Sequence, residues 1–159
     1  MRLEGKNAEA RPLYEESLAL AREAGDVDSV SIQLVNLASV AIDASDSASA
    51  RRLLQEGART AERIAGKYIG TATVTVVGAL VGIEGDPSRA ARFWGAAEDA
   101  RERMGVALDL TDAMFLEPHV RRVRAELGEE AFAEASRQGR AVPYEAALAE
   151  ARAWLEGRG

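Results

Sequence analysis

Few residues in this chain have the means to do chemistry. His119 is the one histidine, and it directly follows Pro118. To serve as a general base or to activate a nucleophile it would need a partner held at hydrogen-bond distance. No such partner is identifiable by spacing, so the expectation is a histidine at the surface or in a groove between helices. Paired carboxylates occur at Glu15-Glu16, Glu98-Asp99 and Glu129-Glu130. Two carboxyls can divide acid–base work, but arginines stand at helical spacing from several of these runs. Glu98 with Arg101, and Glu126 with Arg122, read as exposed ion pairs worth only tenths of a kcal/mol, roughly. Arg121, Arg122 and Arg124 form a short basic cluster of the kind that can meet phosphate. On a helix, 121 and 124 share a face while 122 points elsewhere, and Glu126, Glu129 and Glu130 follow closely. A solvated or internally paired face is expected.

Composition removes other classes of function. With no Cys there is no thiolate nucleophile, disulfide framework or Cys-ligated zinc, and one His cannot build a multi-histidine metal site. No cofactor, metal or catalytic residue is therefore expected. No apolar run approaches the ~20 residues of a membrane helix, and Met1-Arg2-Leu3-Glu4-Gly5-Lys6 has no apolar signal core. Twenty basic against 26 acidic residues give a net charge of -6, with no overall basic footprint for nucleic acid. A cytoplasmic setting, with no membrane association and no direct nucleic-acid contact, is the expectation.

The elements that would position any site repeat at a spacing of 40 residues. Ala10, Ala50 and Ala90 open three comparable stretches. Each is followed at offsets 3, 4 and 7 by Leu13, Tyr14 and Ser17, by Leu53, Leu54 and Gly57, and by Phe93, Trp94 and Ala97. Those offsets share one helix face, patterned small, large, large, small. Small residues let a neighbouring helix approach, and large ones fill the space beside it. The segments before them match as well: Leu34, Leu37, Ala38 and Ala41 correspond to Val74, Val77, Gly78 and Val81. Trp94 is expected in the core opposite Gly78, and Phe93, Phe132 and Trp154 are read as core too.

This predicts eight helices, over about 7–24, 28–44, 47–65, 68–84, 87–104, 110–127, 129–138 and 143–156, with the seventh ending at Gly139. Asp86 reads as an N-cap before Pro87, and Ser47 and Asn7 can cap the corresponding helices. Tyr68–Val77 is rich in β-branched residues and would pass locally for a strand. A lone strand among seven helices has no partner, and its register matches the second helix, so helix is predicted. Pro118 should free the carbonyl of Met114 and kink the sixth helix, or else break it in two.

Paired helices with an Ala-x3-large-x2-small second helix resemble tetratricopeptide repeats, and Asn36-Leu37-Ala38 is similar to that family's frequent Asn-Leu-Gly. The spacing of 40 exceeds the usual 34, and the customary proline at the repeat end is missing. Ala90-Ala91-Arg92-Phe93-Trp94-Gly95-Ala96-Ala97-Glu98, then Arg101-Glu102-Arg103-Met104-Gly105, Leu127-Gly128-Glu129-Glu130-Ala131-Phe132 and Gly139-Arg140-Ala141, resemble the C-terminal end of large bacterial regulators. In those, an ATPase core precedes a tetratricopeptide array, some with a LuxR-type DNA-binding domain. This chain has no Gly-x4-Gly-Lys-Ser/Thr motif of its own.

The resemblance implies an all-α, right-handed superhelix of antiparallel helical hairpins over 1–105, with capping helices over 106–159 in the same domain. Residues 1–25 would hold only the second helix of a hairpin, so its apolar face (Leu13, Tyr14, Leu18, Ala21) is expected to lack a partner and the chain to be a piece of a longer protein. The implied function is a non-enzymatic interaction or sensor module of a signal-responsive transcriptional regulator or ATPase. A protein or peptide partner would lie in a concave groove at Asn36, Ser39, Asp43, Thr75 and Ala79. Asn36 is the strongest of these, because an exposed amide can both donate to and accept from a peptide backbone. The groove lacks the Lys and Arg residues that clamp a terminal carboxylate in some family members. Two alternatives stand beside this: a small-molecule inducer site at Tyr68, Thr71, Thr73 and Thr75, and a homodimer formed through the apolar face of residues 10–25.

Overall fold

The computed structural model describes residues 4–64 and 66–157, with side chains from residue 9 onward. All regular structure among them is helical: α1 (Glu4–Ala24), α2 (Val27–Asp43), α3 (Ser47–Ala61), α4 (Lys67–Ile83), α5 (Pro87–Met104), α6 (Leu110–Leu127), α7 (Glu129–Arg140) and α8 (Tyr144–Leu155). The β-branched stretch at 68–77 is helical. It can be so because Thr71, Thr73 and Thr75 each donate their hydroxyl back to a carbonyl four residues earlier, on Lys67, Ile69 and Thr71. That satisfies three polar groups inside a buried helix.

Three of the turns between helices share one construction. Gly25, Ser45 and Gly85 adopt positive φ, which reverses the chain at the end of a helix. An aspartate follows each. The N–H groups of Asp26, Asp46 and Asp86 donate to the carbonyls of Ala21, Ala41 and Val81, closing the old helix. Their side chains accept from the N–H groups of Ser29, Ser49 and Arg89, opening the new one. The cap of α3 is therefore Asp46 rather than Ser47. Asn7 lies within α1, which begins at Glu4.

The repeat register sets the packing. Ala50 and Ala90 are both 0% exposed. A Cβ on Gly57 would stand 3.7 Å from the Leu34 Cβ, and one on Gly78 only 2.5 Å from the Trp94 Nε1. Trp94 does lie against Gly78, and its indole N–H donates to the Thr75 carbonyl at 3.0 Å. α4 takes the central place, with α2, α3, α5, α6 and α8 all packed on it. Phe93 and Phe132 are buried, and Trp154 is half-buried.

After Gly105 the 40-residue pattern stops, and the last helices fold back. α7 crosses α5 at two glycines. A Cβ on Gly95 would stand 2.9 Å from the Ser136 carbonyl carbon, and one on Gly139 would stand 2.9 Å from the Arg92 Cα. Gly139 is therefore a crossing point inside the last turn of α7 and does not end the helix, which runs on to Arg140. α8 docks against α3, α4 and α5. Arg51 Nη1 and Gln55 Nε2 of α3 donate to the Leu155 carbonyl at 2.9 and 2.8 Å, capping the C-terminus of α8. The Arg51 guanidinium also lies 4.2 Å above the Trp154 ring and pairs with Glu84.

One expectation about the ends of the array changes. Tyr14 and Leu18 do have a partner: Leu18 packs in one cluster with Leu34 and Leu37 of α2, with Tyr14 and Val30 against it, and Ala21 is buried. Leu13 and Leu20 remain exposed. Pro118 sits inside a single α6 that runs unbroken from Leu110 to Leu127. His119 is buried, with its ring centroid 5.0 Å from that of Phe115.

Candidate functional site

Asn36, Ser39 and Asp43 share one face of α2 and are all half-buried. Ile32, one turn earlier on that face, is exposed. Ser39 is engaged by its own helix, its hydroxyl donating to the Val35 carbonyl at 3.1 Å. The Asn36 amide is the strongest binding group of the three, since one carboxylate oxygen of Asp43 is buried. This face offers one aliphatic contact and a short polar ladder, which suits a peptide backbone.

Thr75 and Ala79 do not join that ladder. Both are buried in α4. Thr75 accepts a hydrogen bond from the Arg101 Nη1 at 3.1 Å while donating to the Thr71 carbonyl. The α4 face corresponding to the α2 ladder carries Ala72, Val76, Ala79 and Ile83, and only its two ends are half-open. The expected two-helix groove is thus reduced to α2.

A second place of interest is a niche walled by Tyr68, Thr71, Ala72, Arg101, Ala107, Leu108, Asp109 and Asp112. It gathers two of the residues expected of an inducer site, Tyr68 and Thr71. Thr75 reaches it only through Arg101, and Thr73 is not among its walls. Sequence reasoning missed Arg101 and Asp112. Burial pulls the Arg101 guanidinium below the ordinary arginine value, against the pull of Glu98, Asp112 and Glu102. Burial, followed by the neighbouring Asp109 carboxylate, raises the Asp112 carboxyl. Perturbed charges in a niche are one mark of a binding site. The free space, however, is about 10 Å³, room for roughly one water. A wider hollow of about 680 Å³, lined by Leu127, Glu130, Glu134 and Arg137 among others, lies open to solvent at the α6–α7 corner.

The charged runs are internally paired. Arg121 meets Glu117 at 2.7 Å, Arg122 meets Glu126 at 3.5 Å, and Arg124 meets Glu129 at 3.3 Å while stacking on Phe132. Arg140 of α7 bridges Glu98 and Glu102 of α5. Each arginine of the basic cluster thus has a carboxylate beside it, which lowers its attraction for phosphate.

Among the described residues no group of three or more His, Cys, Asp or Glu could hold a metal ion, and no helix is long and apolar enough to cross a membrane. The class defined by the fold is an all-α chain of repeated helical hairpins. No family model, curated protein or solved structure matches it.

Proposed function

We propose that this chain is a non-enzymatic protein-interaction module, built as a tetratricopeptide-like superhelical array. We place it in the C-terminal part of a bacterial, cytoplasmic, signal-responsive transcriptional regulator or ATPase. The observation that carries this reading is the α2 face: Ile32, Asn36, Ser39 and Asp43 stand in line and partly open beside a hairpin stack nested on Ala50 and Ala90. Stacked hairpins of this kind bind extended or helical segments along an open row of first helices. The inducer reading has less support, since the Arg101 niche has no room for a small molecule without movement of residues 105–109.

A peptide-library selection on the full chain tests the groove, with Asn36→Ala and Asp43→Ala variants run in parallel. The expected result is a peptide class retained by the wild type and weakened roughly tenfold by either variant. No enrichment, or enrichment indifferent to both substitutions, refutes it. The regulator assignment is tested by the DNA upstream of codon 1. An open frame leading back to a P-loop supports it, and an upstream frame encoding no ATPase core counts against it.

A further inference from the structure

We infer that α1 carries a second docking surface, separate from the α2 ladder, for an amphipathic partner helix whose aliphatic stripe is bordered by Lys or Arg. The surface is the stripe Ala10, Leu13, Ser17, Leu20 and Ala24. These positions share one face, which flanks the Tyr14, Leu18 and Ala21 side that packs on α2 and meets it at Ala10. Leu13 is 63% exposed and Leu20 59%. The counterparts of Leu13 and Leu20 in the later hairpins are more covered, Leu53 and Thr60 being half-buried and Phe93 and Ala100 buried. Leu53 packs against the cluster formed by Leu18 of α1 with Leu34 and Leu37 of α2. Phe93, Ala97 and Ala100 are all buried in the main core. Ala50 and Ala90, the counterparts of Ala10, are fully buried, whereas Ala10 is half-open. In the later hairpins a helix always lies over this stripe, so the shape that fits α1 is an antiparallel helix with the Leu-x2-Leu-Ala-x2-Ala pattern of Leu34, Leu37, Ala38 and Ala41.

The border of the stripe sets the charge of the partner. Glu9, Glu16 and Glu23 recur every seven residues along the Leu13–Leu20 edge, and all three are exposed. The equivalent positions at this spacing are Ser49 and Glu56 in α3 with Arg63 just past its end, and Arg89, Ala96 and Arg103 in α5. The unbroken acidic row is therefore particular to α1. It selects against a second copy of this chain, because antiparallel self-pairing would set Glu9 against Glu23 and Glu16 against its own counterpart. A helix with Lys or Arg at heptad spacing meets the same row favourably.

The full chain can be titrated by fluorescence anisotropy with two synthetic helical peptides. Both carry the Leu-x2-Leu-Ala-x2-Ala stripe; one is bordered by Lys and the other by Glu. The Lys-bordered peptide should bind, and added salt should weaken it. Leu13→Ser with Leu20→Ser should weaken binding roughly tenfold or more. Glu16→Lys with Glu23→Lys should reverse the preference between the two peptides. Both pairs of substitutions fall on exposed positions, and circular dichroism confirms that each variant is folded. Asn36→Ala should leave this binding unchanged, which separates its failure from failure of the groove. The proposal is overturned if neither peptide binds, or if both bind equally. Loss of binding only in the Asn36 variant, or concentration-dependent self-association abolished by the Leu13 and Leu20 changes, would overturn it as well.

Discussion

The crossing of α5 and α7 makes the sharpest demand on side-chain size. Consider Gly95→Ala and Gly139→Ala, each adding one methyl group. At 95 the new carbon would stand 2.9 Å from the Ser136 carbonyl carbon, and at 139 it would stand 2.7 Å from the Arg92 carbonyl carbon, with the carbonyl oxygen nearer still in both cases. These obstacles are backbone atoms of a facing helix and cannot rotate aside. The helices must separate by about 1 Å, opening gaps along a long contact. Overpacking of this kind costs about 1–3 kcal/mol or more. It outweighs the ~1 kcal/mol by which Ala exceeds Gly as a helix former. Gly57→Ala is the internal control, because its new carbon meets only the Leu34 Cβ at an ordinary 3.7 Å. It should gain up to about 1 kcal/mol. Thermal and urea unfolding should therefore place the midpoints in the order Gly57→Ala, wild type, Gly95→Ala and Gly139→Ala. The spread should be several degrees, at about 2–4 °C per kcal/mol for a chain of this size. A Gly95→Ala or Gly139→Ala protein as stable as wild type would show that the helices do not cross at these glycines.

Three further outcomes are expected. Trp94→Ala should lower stability by about 3–5 kcal/mol in urea unfolding, since the indole fills the space beside Gly78 and its N–H satisfies the Thr75 carbonyl; an unchanged midpoint would contradict the register. Ser45→Gly should raise stability by about 0.5–1 kcal/mol, because Ser45 holds φ at 61 where Gly85 stands in the matching turn; a loss in thermal unfolding would contradict the strain argument. Asp112→Asn should stabilise the protein at neutral pH, because burial and the neighbouring Asp109 raise the half-buried Asp112 carboxyl and so penalise its charged form. That gain should shrink as pH falls through the raised folded value toward the unfolded one, where the carboxyl is protonated in both states. A gain that grows in acid, followed by urea unfolding at stepped pH, would reverse the sign of the burial effect.

Much of the hairpin stack can be read from residue types alone, because its signals are periodic. Ala50 and Ala90 forecast the nesting, and the register of Val74–Val81 against Leu34–Ala41 outweighed the local strand preference of the threonines. The failures occur where tertiary contact decides. Gly139 has the look of a helix end, since a glycine at a crossing and one at a terminus are the same letter; only the facing Arg92 backbone distinguishes them. Asp46 and Ser47 are both good caps, and the choice was settled by the residue with positive φ before them. The two-helix groove required α4 to be open on one side. Val76 and Ala79 are buried instead, and α6 and α8, which also pack on α4, lie beyond Gly105, where no period remains to extrapolate. The niche did carry a signal that went unused. Arg101 occupies the register position of Ala21 and Ala61, so a charge stands where the array otherwise places a methyl group.

Arg51 reaches across the chain to the carbonyls of residues 154 and 155. A stack in which each hairpin touched only the next would come apart from one end, unit by unit, with no penalty shared between distant parts. Here the third helix and the eighth are fastened together across roughly a hundred residues of intervening chain. The middle of the array cannot loosen without releasing that clasp, and the clasp cannot form until the middle has assembled. Contacts of such sequence separation tie the last helix to the middle of the row, so that the two ends of the stack share the cost of opening.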